Sequence, residues 1–158
     1  CEDGSDCNGQ FMTGILEHIR DITLFLNPSE DSYRRLGEKK APKYVTWSPE
    51  NRSQLIRIPA VKNKRKRIEL RSPDPTANPY LAFALLIYAG MDGIERKLPL
   101  QKPANVNLYT ADHKVTDQLR KLPESRGEAW DAATASALVK KVLPEAYLDV
   151  YKNPPKTR

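Results

Sequence analysis

Residues 51–79 read NRSQLIRIPAVKNKRKRIELRSPDPTANP, and two short runs inside this stretch alternate with period two. In Gln54–Pro59, Ile56 and Ile58 point one way and Arg57 the other. In Arg67–Arg71, Ile68 and Leu70 share a face, and Arg67, Glu69 and Arg71 share the opposite one. Successive strand side chains alternate faces, so the pattern predicts a half-buried β-pair with an aliphatic underside and a charged upper side. With Arg52 just ahead of the first strand, that side gathers four guanidiniums around one carboxylate. One Glu cannot neutralise four Arg, and the guanidinium fork suits planar carboxylate and phosphate groups. Periodicity alone leaves a second reading open. Charged residues on the solvated face of an antiparallel sheet are common, and Glu69 could form no more than exposed cross-strand pairs.

Around this stretch the chain breaks into short elements, punctuated by 13 prolines. Phe11, Ile15, Ile19, Ile22 and Leu26 recur at helical spacing, with Asn8 or Gly9 as cap and Asn27-Pro28 as stop. His18 lies in this helix and is given no ligand role. Residues 27–43 carry turn formers and no sustained period, so a loop is expected there, either a solvated surface loop or a flap over a pocket. Lys43–Ser48 alternates as a strand, and the basic connector Val61–Lys66 reads as a hairpin loop. Asn78-Pro79 opens a helix over Tyr80–Ala89 that is apolar nearly all round, hence core, with Gly90 or Gly93 near its end. Leu98–Asn107 is coil. Ser125 and Glu128 form a capping box for one helix running to about Leu143, and Pro144 starts a last helix, Glu145–Tyr151. Residues 153–158 read as disordered.

At 158 residues the chain is long enough for a real core, and its 29% charged and 39% hydrophobic content argues against disorder throughout. The net charge of +6 suits anionic ligands without choosing among them. Cys1 and Cys7 have no further partners and read as two free thiols. No run is long and apolar enough for a membrane span, and the start shows no signal-peptide pattern, so no membrane association and a cytoplasmic location are expected.

The wording of several stretches adds a family. SYRRL (Ser32–Leu36), AP (Ala41–Pro42), NRSQLIRIP (Asn51–Pro59) and RIELRSPDPTANPYLAFA (Arg67–Ala84) resemble, in order and near-spacing, the motifs of type I glutamine synthetases. The resemblance is strong from about Asn27 to Ile94 and thin beyond. It implies an α+β fold, an antiparallel sheet flanked by helices, as part of such a catalytic domain. Residues 1–96 would hold the sheet, the core helices and the Arg/Glu motifs, and 97–158 a mostly helical C-terminal segment.

The family ligates ammonia to L-glutamate with ATP through γ-glutamyl phosphate, using two divalent ions, Mg or Mn. By resemblance, Arg35 and Arg71 contact the glutamate, Arg52, Arg57 and Arg67 meet the ATP phosphates, and Glu69 is a metal ligand. Arg52 also counts as catalytic. The family commonly has a Glu immediately before the AP dipeptide, thought to take a proton from ammonium. Here that position is Lys40, and Glu38 is the nearby carboxylate left for the role. The partners implied are glutamate, ammonia, ATP and other subunits of a homo-oligomeric ring; the 158 residues taken alone are expected to be inactive.

Two other functions stay in view. The altered flap fits a different γ-glutamyl–amine ligase of the same superfamily. The basic charge and the Lys62–Arg67 cluster fit a nucleic-acid-binding module, but no such motif or interleaved aromatics accompany them, and no nucleic-acid partner is expected.

Overall fold

A computed structural model describes residues 6–38, 41–59 and 67–152. The fold is α+β, with seven helices and a small three-stranded sheet among the described residues.

Helix α1 (Cys7–Leu26) is the central element. Its cap is Asp6, whose carboxylate accepts from the Gly9 amide at 3.0 Å, ahead of the Asn8 or Gly9 expected. Cys7 is disulfide-bonded, which overturns the expectation of a free thiol there. Met12, Ile15, Leu16, Ile19, Ile22, Leu24, Phe25 and Leu26 are all buried, so α1 is packed on most sides and not on one stripe alone. Full burial of each such side chain contributes about 1.5–3 kcal/mol before the entropy of ordering is counted.

The expected loop after α1 contains a helix, α2 (Glu30–Arg35). Ser29 and Ser32 form a reciprocal capping box, Glu30 and Asp31 occupy the first turn, and Arg34 and Arg35 the last. Each charge complements the helix dipole. Six residues are too few to show a helical period, which is why the sequence reads as loop. At Gly37 the backbone is left-handed (φ +92°), which favours glycine. The Gly37 amide donates to the Ala41 carbonyl at 3.2 Å and the Ala41 amide to the Glu38 carbonyl at 2.8 Å, closing the turn.

The sheet order is β1 (Trp47–Ser48), β2 (Ile56–Arg57), β3 (Glu69–Leu70). β2 and β3 are antiparallel, with Ile56 opposite Leu70 and Arg57 opposite Glu69. β1 joins β2 in parallel. Arg71 N to the Leu55 carbonyl at 3.0 Å extends the central pair by one residue. Of the predicted strand Lys43–Ser48 only the last two residues pair as β1; Tyr44 instead bridges Lys121. On the aliphatic side Ile56 is buried and Leu70 half-buried, while Ile68 is exposed. The basic connector 61–66, the flap residues 39–40 and the tail 153–158 lie outside the described residues.

Helix α3 (Pro79–Glu95) starts as predicted, with Asn78 Oδ1 accepting from the Tyr80 amide at 3.0 Å. It runs well past Ala89, and Gly90 and Gly93 lie inside it rather than at its end. A Cβ on Gly93 would fall 2.6 Å from the Gly14 nitrogen, and one on Gly14 would fall 2.1 Å from the Ala89 carbonyl oxygen. Only glycine lets the α1 and α3 backbones approach this closely. Nor is α3 core on every side: Tyr80, Phe83, Ile87, Tyr88 and Met91 are exposed.

Beyond α3, a short helix α4 (His113–Thr116) appears where no element was expected. The predicted helix to Leu143 is two, α5 (Arg126–Ala135) and α6 (Ala137–Val142). They are parted by Ser136, whose extended backbone ends one and whose hydroxyl caps the other. Helix α7 (Glu145–Lys152) follows. Leu122, Ala129, Ala133, Val139 and Leu143 join the same apolar core as α1. Among the described residues no helix is long and apolar enough to cross a membrane.

Candidate active site

The register of β2 against β3 puts Arg57 beside Glu69, and the next residue on that face after Glu69 is Arg71. Arg57 Nη1 donates to Glu69 Oε2 at 3.1 Å, and Arg71 Nε donates to Glu69 Oε1 at 3.1 Å. Each carboxylate oxygen therefore holds one guanidinium. The Arg57 and Arg71 side chains are 17% and 12% exposed, Glu69 36%, so the cluster sits at the surface end of a half-buried face. Arg57 is fixed a second time, by Nε donating to the Glu50 carbonyl at 2.9 Å.

Donor capacity is left over. Arg71 Nη1 is buried with no hydrogen-bond partner. Nearby in sequence, Ser72 accepts from Arg35: Arg35 Nη2 reaches the Ser72 carbonyl and, at 3.1 Å, Asn27 Oδ1. Arg35 Nε, Asn27 Nδ2 and Ser72 Oγ are also buried and unpaired. Buried unpaired donors are few in folded proteins, each costing about 1–3 kcal/mol unless an acceptor meets it. Three of these four atoms are N–H donors and the fourth is a hydroxyl, so the set suits an anion. Guanidiniums with a spare N–H fit a carboxylate or phosphate acceptor.

Arg52 and Arg67 are exposed, and neither forms a hydrogen bond or ion pair with Glu69. Glu38 lies on the exposed turn after α2, and its carboxylate forms no hydrogen bond or ion pair with an arginine among the described residues. Lys40 lies outside the described residues.

A divalent metal does not fit these residues by themselves. Among the described residues no three or more His, Cys, Asp or Glu side chains are grouped to hold one. Glu69 is a single donor whose two oxygens already accept from arginine. A hard cation takes several oxygens.

A polar support that the sequence reading missed holds the Arg-bearing turn in place. Gln54 is fully buried; its Nε2 donates to the Val106 carbonyl at 2.9 Å and its Oε1 accepts from the Thr46 hydroxyl. Ser53 Oγ accepts from the Leu108 amide at 2.9 Å and donates to Asn51 Oδ1 at 2.9 Å. The only sign in the sequence was a pair of polar residues leading directly into an aliphatic run. Tyr109, on the same segment, donates to the Ala41 carbonyl at 3.4 Å. Burial raises its phenol pKa, and the Arg71 charge opposes that shift. Tyr109 therefore stands between the flap end and the arginine cluster.

The family described as glutamine synthetase, catalytic domain, matches residues 2–156. The chain is similar to the glutamine synthetase of Methanosarcina mazei, 44% identical over 89% of this chain and 32% of that protein. The Pyrococcus furiosus enzyme of the same name is 42% identical over 87% of the chain and 32% of its own length. The Staphylococcus aureus (strain MW2) one is 40% identical over 85% and 31%. Among solved structures, a GmaS/ADP complex superposes with a TM-score of 0.81 at 30% identity, covering 94% of this chain and 35% of that one. The chain thus spans about a third of the length of the curated relatives it matches. On the match over nearly all its residues, the chain belongs to the glutamine synthetase catalytic-domain family.

Proposed function

We propose that this chain supplies the arginine face of an ATP-dependent glutamate–ammonia ligase. The observation that carries the reading is Glu69 held between Arg57 and Arg71 while Arg71 keeps a buried, unpaired Nη1. Such a cluster has positive charge to spare and a donor fixed in direction before any ligand arrives.

In the reaction, a γ-carboxylate oxygen of glutamate attacks the γ-phosphorus of ATP. The new O–P bond replaces the bond to the β-phosphate oxygen, and ADP leaves. Ammonia then attacks the acyl carbon of γ-glutamyl phosphate, the C–O bond to phosphate breaks, and one proton is lost from nitrogen. Negative charge shifts onto phosphoryl oxygens in the first step and onto the acyl oxygen in the second, where fixed cations lower both barriers. Arg57, with Arg52 and Arg67, faces the nucleotide phosphates. Arg71 and Arg35 hold the glutamate. Glu38 takes the proton from ammonium. Glu69 orients Arg57 and Arg71; to serve as a ligand of Mg or Mn it would need further oxygen ligands from outside the described residues. In keeping with the family, the whole enzyme is cytoplasmic and a homo-oligomeric ring.

The test is the Methanosarcina mazei enzyme with its matched segment exchanged for this chain. A charged hydrogen bond is worth about 1.5–3 kcal/mol, so R71K should raise the KM for glutamate roughly 10- to 150-fold with the KM for ATP little changed. R57A should act on the ATP side. Wild-type kinetics in both variants would remove the assignment. An amide formed from another amine but not from ammonia would move the chain to the related amine ligases, a reading motivated by Lys at position 40.

A further inference from the structure

Five side-chain polar atoms among the described residues are buried without a hydrogen-bond partner: Asn27 Nδ2, Tyr33 Oη, Arg35 Nε, Arg71 Nη1 and Ser72 Oγ. All belong to two short stretches, 27–35 and 71–72, which the Arg35 side chain joins by donating to the Ser72 carbonyl. Buried unpaired polar atoms are few in folded proteins, so their confinement to one junction marks it as built for more than packing. Asn27 is the fixed end of that junction. Its backbone amide donates to the Thr23 carbonyl at 2.8 Å, closing α1, and the residue is wholly buried. From there Asn27 Oδ1 accepts from Arg35 Nη2 at 3.1 Å, and the same Nη2 serves the Ser72 carbonyl. One guanidinium nitrogen is therefore held from two sides, by the end of α1 and by the residue next to Arg71. The Asp74 amide donates to the Leu26 carbonyl at 2.9 Å, which docks the 72–74 turn on the same helix end.

We propose that Asn27 is a positioning residue for glutamate binding: its side-chain oxygen holds the Arg35 guanidinium against the Ser72 carbonyl, so that Arg35 and Arg71 present their unpaired N–H groups at one set spacing. The inference rests on the reading of Arg35 and Arg71 as the pair that holds glutamate. An arginine side chain has much rotamer freedom, and ordering it before the ligand arrives removes that cost from binding. The acceptors that order Arg35 are a neutral amide and a carbonyl, which direct the fork without neutralising it. A carboxylate in their place would pair with the guanidinium and compete with an anionic substrate. Such a competitor stands close by. Burial pushes the Asp74 carboxyl up, but hydrogen bonds from Thr76 and Ser32 and the Arg35 charge outweigh it and hold the group below 3.8. Asn27 keeps the fork on the Ser72 side, next to Arg71, rather than leaving it to swing onto that acid.

The test uses the Methanosarcina mazei enzyme carrying this chain as its matched segment. N27A should raise the KM for glutamate roughly 10- to 100-fold, as a misplaced binding group does, and leave the KM for ATP within about twofold. Because Asn27 acts through Arg35, N27A combined with R35A should raise the KM for glutamate no further than R35A alone. Additive effects would show that Asn27 serves the fold and not Arg35, and they overturn the inference. A wild-type KM for glutamate in N27A does the same. Should N27A fail to fold, N27D decides, since it keeps the size of the side chain and an acceptor oxygen. Its carboxylate would pair with Arg35 against the substrate, so the KM for glutamate should again rise, and an unchanged value overturns the inference. R71K separates the two levels. If R71K raises the KM for glutamate and the Asn27 variants do not, the positioning role alone falls. If R71K also leaves it unchanged, the reading of the arginine face falls and the inference with it.

Discussion

His18 Nε2 lies 2.8 Å from Asp92 Oδ2, and the same ring reaches Asp21 Oδ2 through Nδ1 at 3.3 Å, so one imidazole ties α1 to α3. Asp21 Oδ2 also accepts from Ser136 Oγ at 2.9 Å, and Asp92 Oδ2 from Arg96 Nη1 at 2.9 Å. The clamp thus reaches the α5–α6 junction. The Asp21 hydrogen bond lifts the His18 pKa above 6.5, burial opposes it, and the Asp92 hydrogen bond and both carboxylate charges add to the lift. Burial pulls the Asp92 carboxyl up, but the His18 and Arg96 contacts outweigh it and hold Asp92 below 3.8.

The sign of the pH dependence follows. A raised His pKa gives stability that is complete below 6.5 and lost as pH rises through the folded value. A lowered Asp pKa gives stability that is complete above 3.8 and lost as pH falls through its folded value. The clamp should contribute most between these limits. In urea unfolding, H18N should therefore cost more stability at about pH 5.5 than at about pH 8.5. An equal cost at both pH values would show that His18 acts only by packing.

Gly14 and Gly93 set the spacing of α1 and α3. Gly93→Ala would drive a methyl to 2.2 Å from the Gln10 carbonyl oxygen and 2.6 Å from the Gly14 nitrogen, both backbone atoms that cannot rotate aside. Overpacking of this kind costs about 1–3 kcal/mol or more, which exceeds the gain of up to about 1 kcal/mol that Ala over Gly brings to a helix. Denaturation midpoints should fall for G93A and for G14A. Gly127, whose added Cβ would approach nothing closer than 3.7 Å, should tolerate Ala or gain from it.

Ser136 ends α5, caps α6 by accepting from the Val139 amide at 3.3 Å, and donates to Asp21. S136A should cost about 0.5–2 kcal/mol through the lost cap alone. S136G keeps cap geometry but not the hydroxyl, and should fall nearly as low if the Asp21 bond matters. A variant as stable as wild type by calorimetry would rule out the capping account.

Gln54 is fully buried, and its amide serves both Thr46 and Val106. Q54L keeps most of the volume but leaves the Thr46 hydroxyl and the Val106 carbonyl unpaired, a cost of about 1–3 kcal/mol each if no water replaces it. Hydrogen exchange should rise locally over residues 105–109 before global stability falls. Unchanged exchange there would place the support of the Arg-bearing turn elsewhere.

The cross-strand pair was legible because alternation assigns faces without reference to the rest of the chain. Arg57 and Glu69 on one side and Ile56 and Leu70 on the other needed only the two-residue period. The start of α3 was legible for a similar reason, since Asn78 and Pro79 act on the backbone within one turn. The helix α2 and the break at Ser136 were not. A six-residue helix shows no period, and a serine inside an Ala-rich helical pattern does not by itself mark a break, although its hydroxyl here accepts from the Val139 amide and also meets Asp21 of α1.

The amino-acid sequence by itself determined the local choices: which residues alternate, where α3 begins, and which wording matches the glutamine synthetase family. Those depend on contacts within a few residues along the chain. Only the tertiary structure decided that Arg57 and Arg71 share the oxygens of one carboxylate. It also decided that Gly14 meets Gly93, and that α3 has a buried face and an uncovered one. Such outcomes depend on the distance between elements remote in sequence, which close packing sets and no local period encodes.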